Sequence, residues 1–317
     1  MVSQCSIPKG HGTFSTIFLV KEKQLTPSQT SSAEETGSLL SQCVIYDCGG
    51  TICANLIGSA LGHFQKHSTT DIFRGDSSQL TKSDLDNLSR DIQDKVKKGH
   101  KKILLIFGTD TCCDVVNRLK HERLGANIVI ATSMVPLDLD CRNAFYDKCL
   151  KEMPKDKIGS IQLVVNIGNG QHIEKNISKD SPDIYKDGSI RKGVFLEWTG
   201  EPAHIKHLRA LKLPMIFSNP QKNPVDVANE IKEHATFKNS IILVGCGDFN
   251  FFTHPIVVEA INLAKASGCE ILLTTITPES FKFPGKVPYE HRQMLEEMDI
   301  ELLWQNNFLK ISAKSNL

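Results

Sequence analysis

What this chain lacks narrows its class before any motif is read. No run approaches ~18 consecutive apolar residues, so the sequence predicts no transmembrane helix. The apolar stretch at 14–20 is too short and too poorly flanked for a secretory signal. Neither charge is in excess: 37 basic residues against 36 acidic ones leave a formal charge of +1. That balance gives no reason to expect a nucleic-acid or anionic-membrane partner. The ten cysteines follow no pairing rhythm and form no CxxC, and no Cys/His group has zinc-ligand spacing. The expectation is a cytoplasmic protein with buried reduced thiols, no metal and no cofactor. Tyrosine is scarce: four in all, at positions 46, 146, 185 and 289.

What is present is a regular alternation of strand and helix patterns. At 317 residues and 40% hydrophobic content, the chain is long enough for two domains with real cores. Residues 1–42 read as an N-terminal extension, partly mobile, with a Ser/Thr/Glu/Gly-rich loop at 26–38. Strands are expected at 43–47, 103–107, 128–131 and 161–166, and helices at 81–98, 112–124 and 142–153. Leu85, Leu88, Ile92 and Val96 mark the apolar face of the first helix. The basic run at 97–102 reads as a solvated helix end, where cations suit the helix dipole. A polar stretch at 186–205 reads as a link between domains. Beyond it, strands are expected at 215–217, 241–244 and 270–275, and helices at 224–234, 256–267 and 289–298. The predicted fold is α/β: two α/β domains with mostly parallel sheets, a larger one over 43–190 and a smaller one over 205–317.

Two short motifs carry the chemistry. Cys48-Gly49-Gly50-Thr51-Ile52 follows the first strand, and Gly108-Thr109-Asp110-Thr111 follows the second. Residues just past the carboxyl ends of parallel strands line the ligand crevice. Each loop sets a Thr hydroxyl beside glycine backbone, as threonine-based acyl transfer requires: the hydroxyl attacks a carbonyl, and nearby N–H groups meet the developing oxyanion. Taken singly, each motif has an ordinary reading. A Gly-Gly pair marks a tight turn, and Thr and Asp cap helices.

Together, in this order, the motifs resemble the bacterial-type L-asparaginase family, over about 43–317. That family shows a Thr-Gly-Gly-Thr-Ile turn, a Ser-containing block, a His-Gly-Thr-Asp-Thr block and a later Gly-x-Gly-Asn turn. The matching places here are residues 48–52, 76–81, 107–111 and 245–248. The closing residues 313–317 are similar to the family's last helix. The resemblance implies an amidohydrolase that converts the side-chain amide of asparagine, or a related amide, to the acid and ammonia. It implies Thr51 as nucleophile, Thr109 as second essential threonine, and Asp110 as the partner of the substrate ammonium. Ser77 and Ser78 would hold the α-carboxylate, and Lys175, or Lys179 in another register, would bond Thr109. It also implies a homo-dimer or homo-tetramer, because the family completes each site from a neighbouring subunit, at the place Asp248 occupies here.

Beyond Cys48 and Phe107 at the heads of the two motifs, the chain departs from the pattern at three further points. No Tyr lies between Thr51 and Thr109, where the family's flexible loop carries one; His63 and His67 lie there instead. Val135 replaces an Arg of the family, and Asp248 replaces the Asn. An acid at 248 favours a cationic group and repels a carboxylate. These departures leave a second reading open: an inactive relative on the same fold, serving as a ligand-binding or interaction module.

Overall fold

The apolar runs of the central strands decide the architecture. β1 (Cys43–Asp47), β3 (Lys102–Ile106) and β4 (Asn127–Ser133) are buried along almost their whole length. A strand that is apolar on both faces must be covered on both, which a parallel sheet between two helical layers achieves. The structure is a computed structural model describing residues 43–50, 68–71, 77–122, 124–135, 137–151, 153, 159–186, 195–197, 200–237, 240–247, 249, 253–282, 293 and 295–307.

The larger sheet adds β2 (Ser68–Asp71), β5 (Ile161–Gly168) and β6 (Gln171–Ile177), in the order β2-β1-β3-β4-β5-β6. Its first five strands are parallel, and β6 runs antiparallel at the edge. Alternate side chains go to opposite faces. Val44 and Tyr46 join one core with α1 (Lys82–Lys97) and α2 (Cys112–Glu122), while Cys43 and Ile45 join the other with α3 (Leu139–Lys151). α1 starts where its sequence says it should. The Thr81 side chain accepts from the Asp84 N–H at 3.3 Å, and the Asp84 carboxylate accepts the Thr81 N–H at 2.8 Å, a reciprocal cap.

The second sheet is parallel throughout. β9 (Met215–Ser218), β10 (Ile241–Gly245), β11 (Ile271–Thr275) and β12 (Glu301–Leu302) lie in chain order across it. α5 (Pro224–Ala235) and α6 (Pro255–Ala266) cover one face; α4 (Ala203–Arg209) and α7 (Pro278–Lys282) contribute Ile205, Leu208 and Phe281 to the other. The chain is thus mixed α/β with mostly parallel sheets. No helix of the described residues is long and apolar enough to cross a membrane.

Several elements depart from the sequence expectation: strands β2, β6, β7, β8 and β12 and helices α4 and α7 were not expected. β5 turns straight back into β6, where no strand was expected. Asn169 and Gly170 both take left-handed φ, of 53° and 71°, between paired Gly168 and Gln171, so the hairpin closes with two residues. The stretch expected to be a mere link at 186–205 also contains structure. β7 (Ile184–Lys186) and β8 (Phe195–Glu197) pair antiparallel, and α4 begins before the stretch ends. We therefore propose a division into two units after Glu197 rather than at 190, since a cut at 190 would separate paired strands. The extension at 1–42 lies outside the described residues.

Candidate active site

The order β2-β1-β3-β4-β5 reverses between β1 and β3. At such a switch point the loops leaving the two strands go to opposite faces, and a crevice opens at their carboxyl ends. The two Gly/Thr motifs follow these two strands. Register continues into both loops: the Cys48 N–H donates to the Ile106 carbonyl at 2.9 Å, and the Phe107 N–H to the Ala131 carbonyl at 2.9 Å. Gly49 N–H donates to the Asp47 carboxylate at 3.0 Å, which folds the first loop over its own strand. Gly50 has φ +111°, and a Cβ there would overlap the Gly108 backbone. Glycine at 50 is thus required twice, for its φ and for the backbone-to-backbone contact of the two loops.

Ser77 opens a short 3-10 turn, Ser77–Gln79, and sits under the second loop. Its hydroxyl accepts the Gly108 N–H and the Thr111 hydroxyl, each at 3.1 Å, and the residue is wholly buried. Ser77 therefore ties the loop from beneath. Both bonds are accepted by the hydroxyl, so its own proton is the group a substrate carboxylate would take. Gln79 bridges to the second half of the chain, accepting the N–H and the hydroxyl of Thr253, both at 2.9 Å.

Thr109 and Asp110 lie between Gly108 and the start of α2. The lysine that reaches them is Lys186, at the end of β7. Its ammonium donates to Asp110 Oδ1 at 2.6 Å and makes a long contact to Thr109 Oγ1 at 3.5 Å. It is 4% exposed. Lys186 is delivered by α2, against which β7 packs. The Asn117 side chain donates to the Ile184 carbonyl at 2.8 Å and accepts the Ile184 N–H at 2.9 Å. Lys120 donates to the Ser181 carbonyl at 2.7 Å and pairs with Asp183 at 2.5 Å.

The expectation that Lys175 bonds Thr109 is overturned. Lys175 lies on β6, three strands from β3; at the usual ~4.8 Å spacing that is about 14 Å, beyond a lysine's reach. Its ammonium faces Glu197 of β8 at 3.6 Å instead. Lys179 is exposed on the turn after β6 and does not supply the contact either. Thr51, Asp248, His63 and His67 lie outside the described residues, as does the side chain of Ser78. Val135 stands at the turn after β4, where its N–H donates to Ser133 Oγ at 3.3 Å and the Asn166 amide donates to the same hydroxyl at 2.8 Å.

Behind Asp110, on the α2 side, lies a cleft of about 270 Å³. Asp110, Asp114 and Lys186 line it from the first sheet, and Phe217, Cys246 and Gly247 from the carboxyl ends of β9 and β10. Burial pushes the Asp114 carboxyl up to about 7, so near neutrality this acid titrates where a surface aspartate would be fully ionised. Burial also holds the Cys113 thiol well above its ordinary range, which argues against a thiolate nucleophile. Lys186, Asp114 and Asn117 were not singled out by sequence reasoning. A signal for Lys186 was present in Ile184-Tyr185-Lys186, a short alternating run just before the glycine at 188.

No family model matches the chain, and no curated protein does. Among solved structures it is similar to L-asparaginase I from Vibrio cholerae O1 biovar eltor at 18% identity, over 74% of this chain and 80% of that one, with a TM-score of 0.34. A probable cytoplasmic L-asparaginase from Campylobacter jejuni is 17% identical over 74% of this chain and 82% of its own, with a TM-score of 0.37. The thermostable L-asparaginase from Thermococcus kodakarensis is 18% identical over 74% and 79%, with a TM-score of 0.33. Overlap this slight bears on no residue's role; the α/β class rests on the chain's own strands and helices.

Proposed function

We propose that the chain is an amidohydrolase of the asparaginase kind, acting on a small amino-acid amide through a threonine hydroxyl. The observation that carries this reading is the buried Lys186 ammonium bridging Asp110, at 2.6 Å, and Thr109, at 3.5 Å, in the crevice where β1 and β3 diverge. A positioned lysine beside a hydroxyl and a carboxylate can hold and pass a proton. In the proposed reaction the Thr51 hydroxyl attacks the amide carbonyl carbon. Its proton passes through the Thr109–Lys186–Asp110 group to the nitrogen, which leaves as ammonia. Water then cleaves the acyl–threonine ester, releasing the acid and restoring the hydroxyl. The oxyanion would take its donors from backbone N–H groups of the two loops other than those of Cys48, Gly49 and Gly108, which Ile106, Asp47 and Ser77 already accept. Asp110 would also meet the substrate ammonium, and Asp248, if it faces the crevice, would add a second negative charge. Assembly as a homo-dimer or homo-tetramer belongs to the same proposal.

A specific observation favours a second reading. The Ser77 hydroxyl, expected to hold a substrate carboxylate, is buried and engaged by the loop. A carboxylate-binding hydroxyl held this deep suits a different amide, or a bound ligand that is not turned over. Ammonia release from asparagine and from glutamine separates the readings. Release by the wild-type chain, abolished in a folded Thr51→Ala variant, is the expected outcome. Undiminished release from that variant would remove Thr51 from the chemistry. No release from either substrate, with ligand binding retained, would favour the binding module.

A further inference from the structure

Behind Asp110, the second sheet ends on the turn that follows β10. Gly247 there takes φ +54°, and a Cβ on it would overlap the Asp110 carboxyl group. The turn's backbone therefore lies flush against the carboxylate that holds Lys186. From the far side the same glycine is fixed by two hydroxyls. Its carbonyl accepts from Thr275 Oγ1 and from Thr277 Oγ1, the latter at 3.0 Å. The Thr277 N–H donates to Thr275 Oγ1 at 3.0 Å, and the Ile276 N–H donates to the Gly245 carbonyl at 3.1 Å. Both threonines are wholly buried. The Phe249 N–H donates to the same carbonyl at 3.1 Å, but it belongs to the turn itself. The two hydroxyls are what tie the peptide plane to the second sheet, and with it set how close the Gly247 Cα stands to Asp110. Phe249, at φ +64°, is buried in the core of the second sheet.

Asp110 stands at the start of α2 and lines the 270 Å³ cleft. Gly247 meets its carboxyl group from the side of the second sheet.

We propose that Thr275 and Thr277 are positioning residues: by pinning the Gly247 carbonyl they press the second sheet's turn onto Asp110 and hold its carboxylate on the Lys186 ammonium. The hydroxyls touch neither substrate nor the reacting atoms; they act through Gly247. What this does for catalysis rests on the proposed amidohydrolase reading, but the Asp110–Lys186 geometry can be read without it.

The test uses the full chain and Thr277→Val, which keeps the buried volume and removes the hydroxyl, with Thr277→Ser as the conservative control and Thr275→Val as the second variant. Acetic anhydride labelling at fixed pH, mapped by peptide mass, gives the rate at Lys186 relative to exposed Lys206. In both valine variants the ratio is expected to rise by about threefold or more as the charge-assisted bond to Asp110 loosens, and in Thr277→Ser to stay at the wild-type value. Where the wild type releases ammonia, kcat/KM should fall about tenfold in the valine variants and recover in the serine one. If the wild type releases none, the amidohydrolase reading fails while the labelling ratio still decides the positioning role. A folded valine variant with the wild-type ratio overturns the inference. So does loss of the wild-type circular-dichroism spectrum in both valine variants, since the hydroxyls would then support the fold as a whole.

Discussion

A lysine ammonium loses its water shell on burial and needs a counter-charge; at Lys186 that charge is Asp110, 2.6 Å away. Replacing the lysine removes both the proton-holding group and the partner of Asp110. Lys186→Met should therefore lower ammonia release by ~10²–10⁴. Lys175→Met is the control. Lys175 is 27% exposed and paired at 3.6 Å with a half-exposed Glu197, a geometry worth about 0.5 kcal/mol or less. Its turnover and melting temperature should match the wild type. Steady-state rates and a thermal scan of both variants check this, and an inactive Lys175→Met would reverse the assignment. The glycines and threonines of the two loops were legible because their chemistry follows from the motif itself. Lys186 was not, because its role depends on α2 holding β7 in place. Sequence distance gives no hint that residue 186, rather than 175, meets residue 109.

At the scale of elements, β7 is a three-residue strand that could not hold a lysine in place alone. Asn117 supplies what the strand lacks, taking both the N–H and the carbonyl of Ile184. Asn117→Ala should cost about 1–3 kcal/mol, for two bonds lost and backbone groups left wanting. Because Lys186 is two residues further on, ammonia release should fall as well. Amide hydrogen exchange at residues 184–186 should quicken in this variant, while β3 keeps its protection. Equal exchange in both would mean the ribbon is held by other contacts. Strands β1, β3, β4, β5, β9, β10 and β11 and helices α1, α2, α3, α5 and α6 were read from apolar runs and three-to-four spacing, since buried parallel strands and amphipathic helices advertise themselves. The β5–β6 hairpin was missed although Asn169-Gly170 is a hairpin signal; the polar residues of β6, an edge strand, hid its period. Ribbon β7-β8 lies in a polar stretch whose composition looks like a linker.

For the molecule as a whole, the cleft between the sheets couples stability to pH through Asp114. Its folded value, about 7, stands above the ordinary 3.8. The acid form is therefore the favoured one in the native state, and its contribution is fully present below 3.8 and lost as pH rises toward 7. Asp114 lines the cleft with part of its surface open, so solvent screens some of the cost; a loss of about 1–3 kcal/mol by pH 8 is expected. Asp114→Asn cannot ionise. Its melting temperature should equal the wild type's below about pH 3.8 and exceed it by a few degrees at pH 8. Parallel pH profiles for the two proteins would place the Asp114 carboxyl in ordinary solvent.

By itself, the sequence determined the α/β class, the run of β–α units and the placing of two glycine–threonine loops after buried strands. These follow from local pattern: burial on both faces sets strand type, and glycine sets turn geometry. Only the tertiary structure decided which lysine meets Thr109, that Ser77 is sealed under its loop, and that Gly247 walls in Asp110. Each of those depends on contacts between segments far apart in the chain, such as residue 110 with 186 and 247. Such contacts arise when sheets and helices pack, and no local period or composition records them.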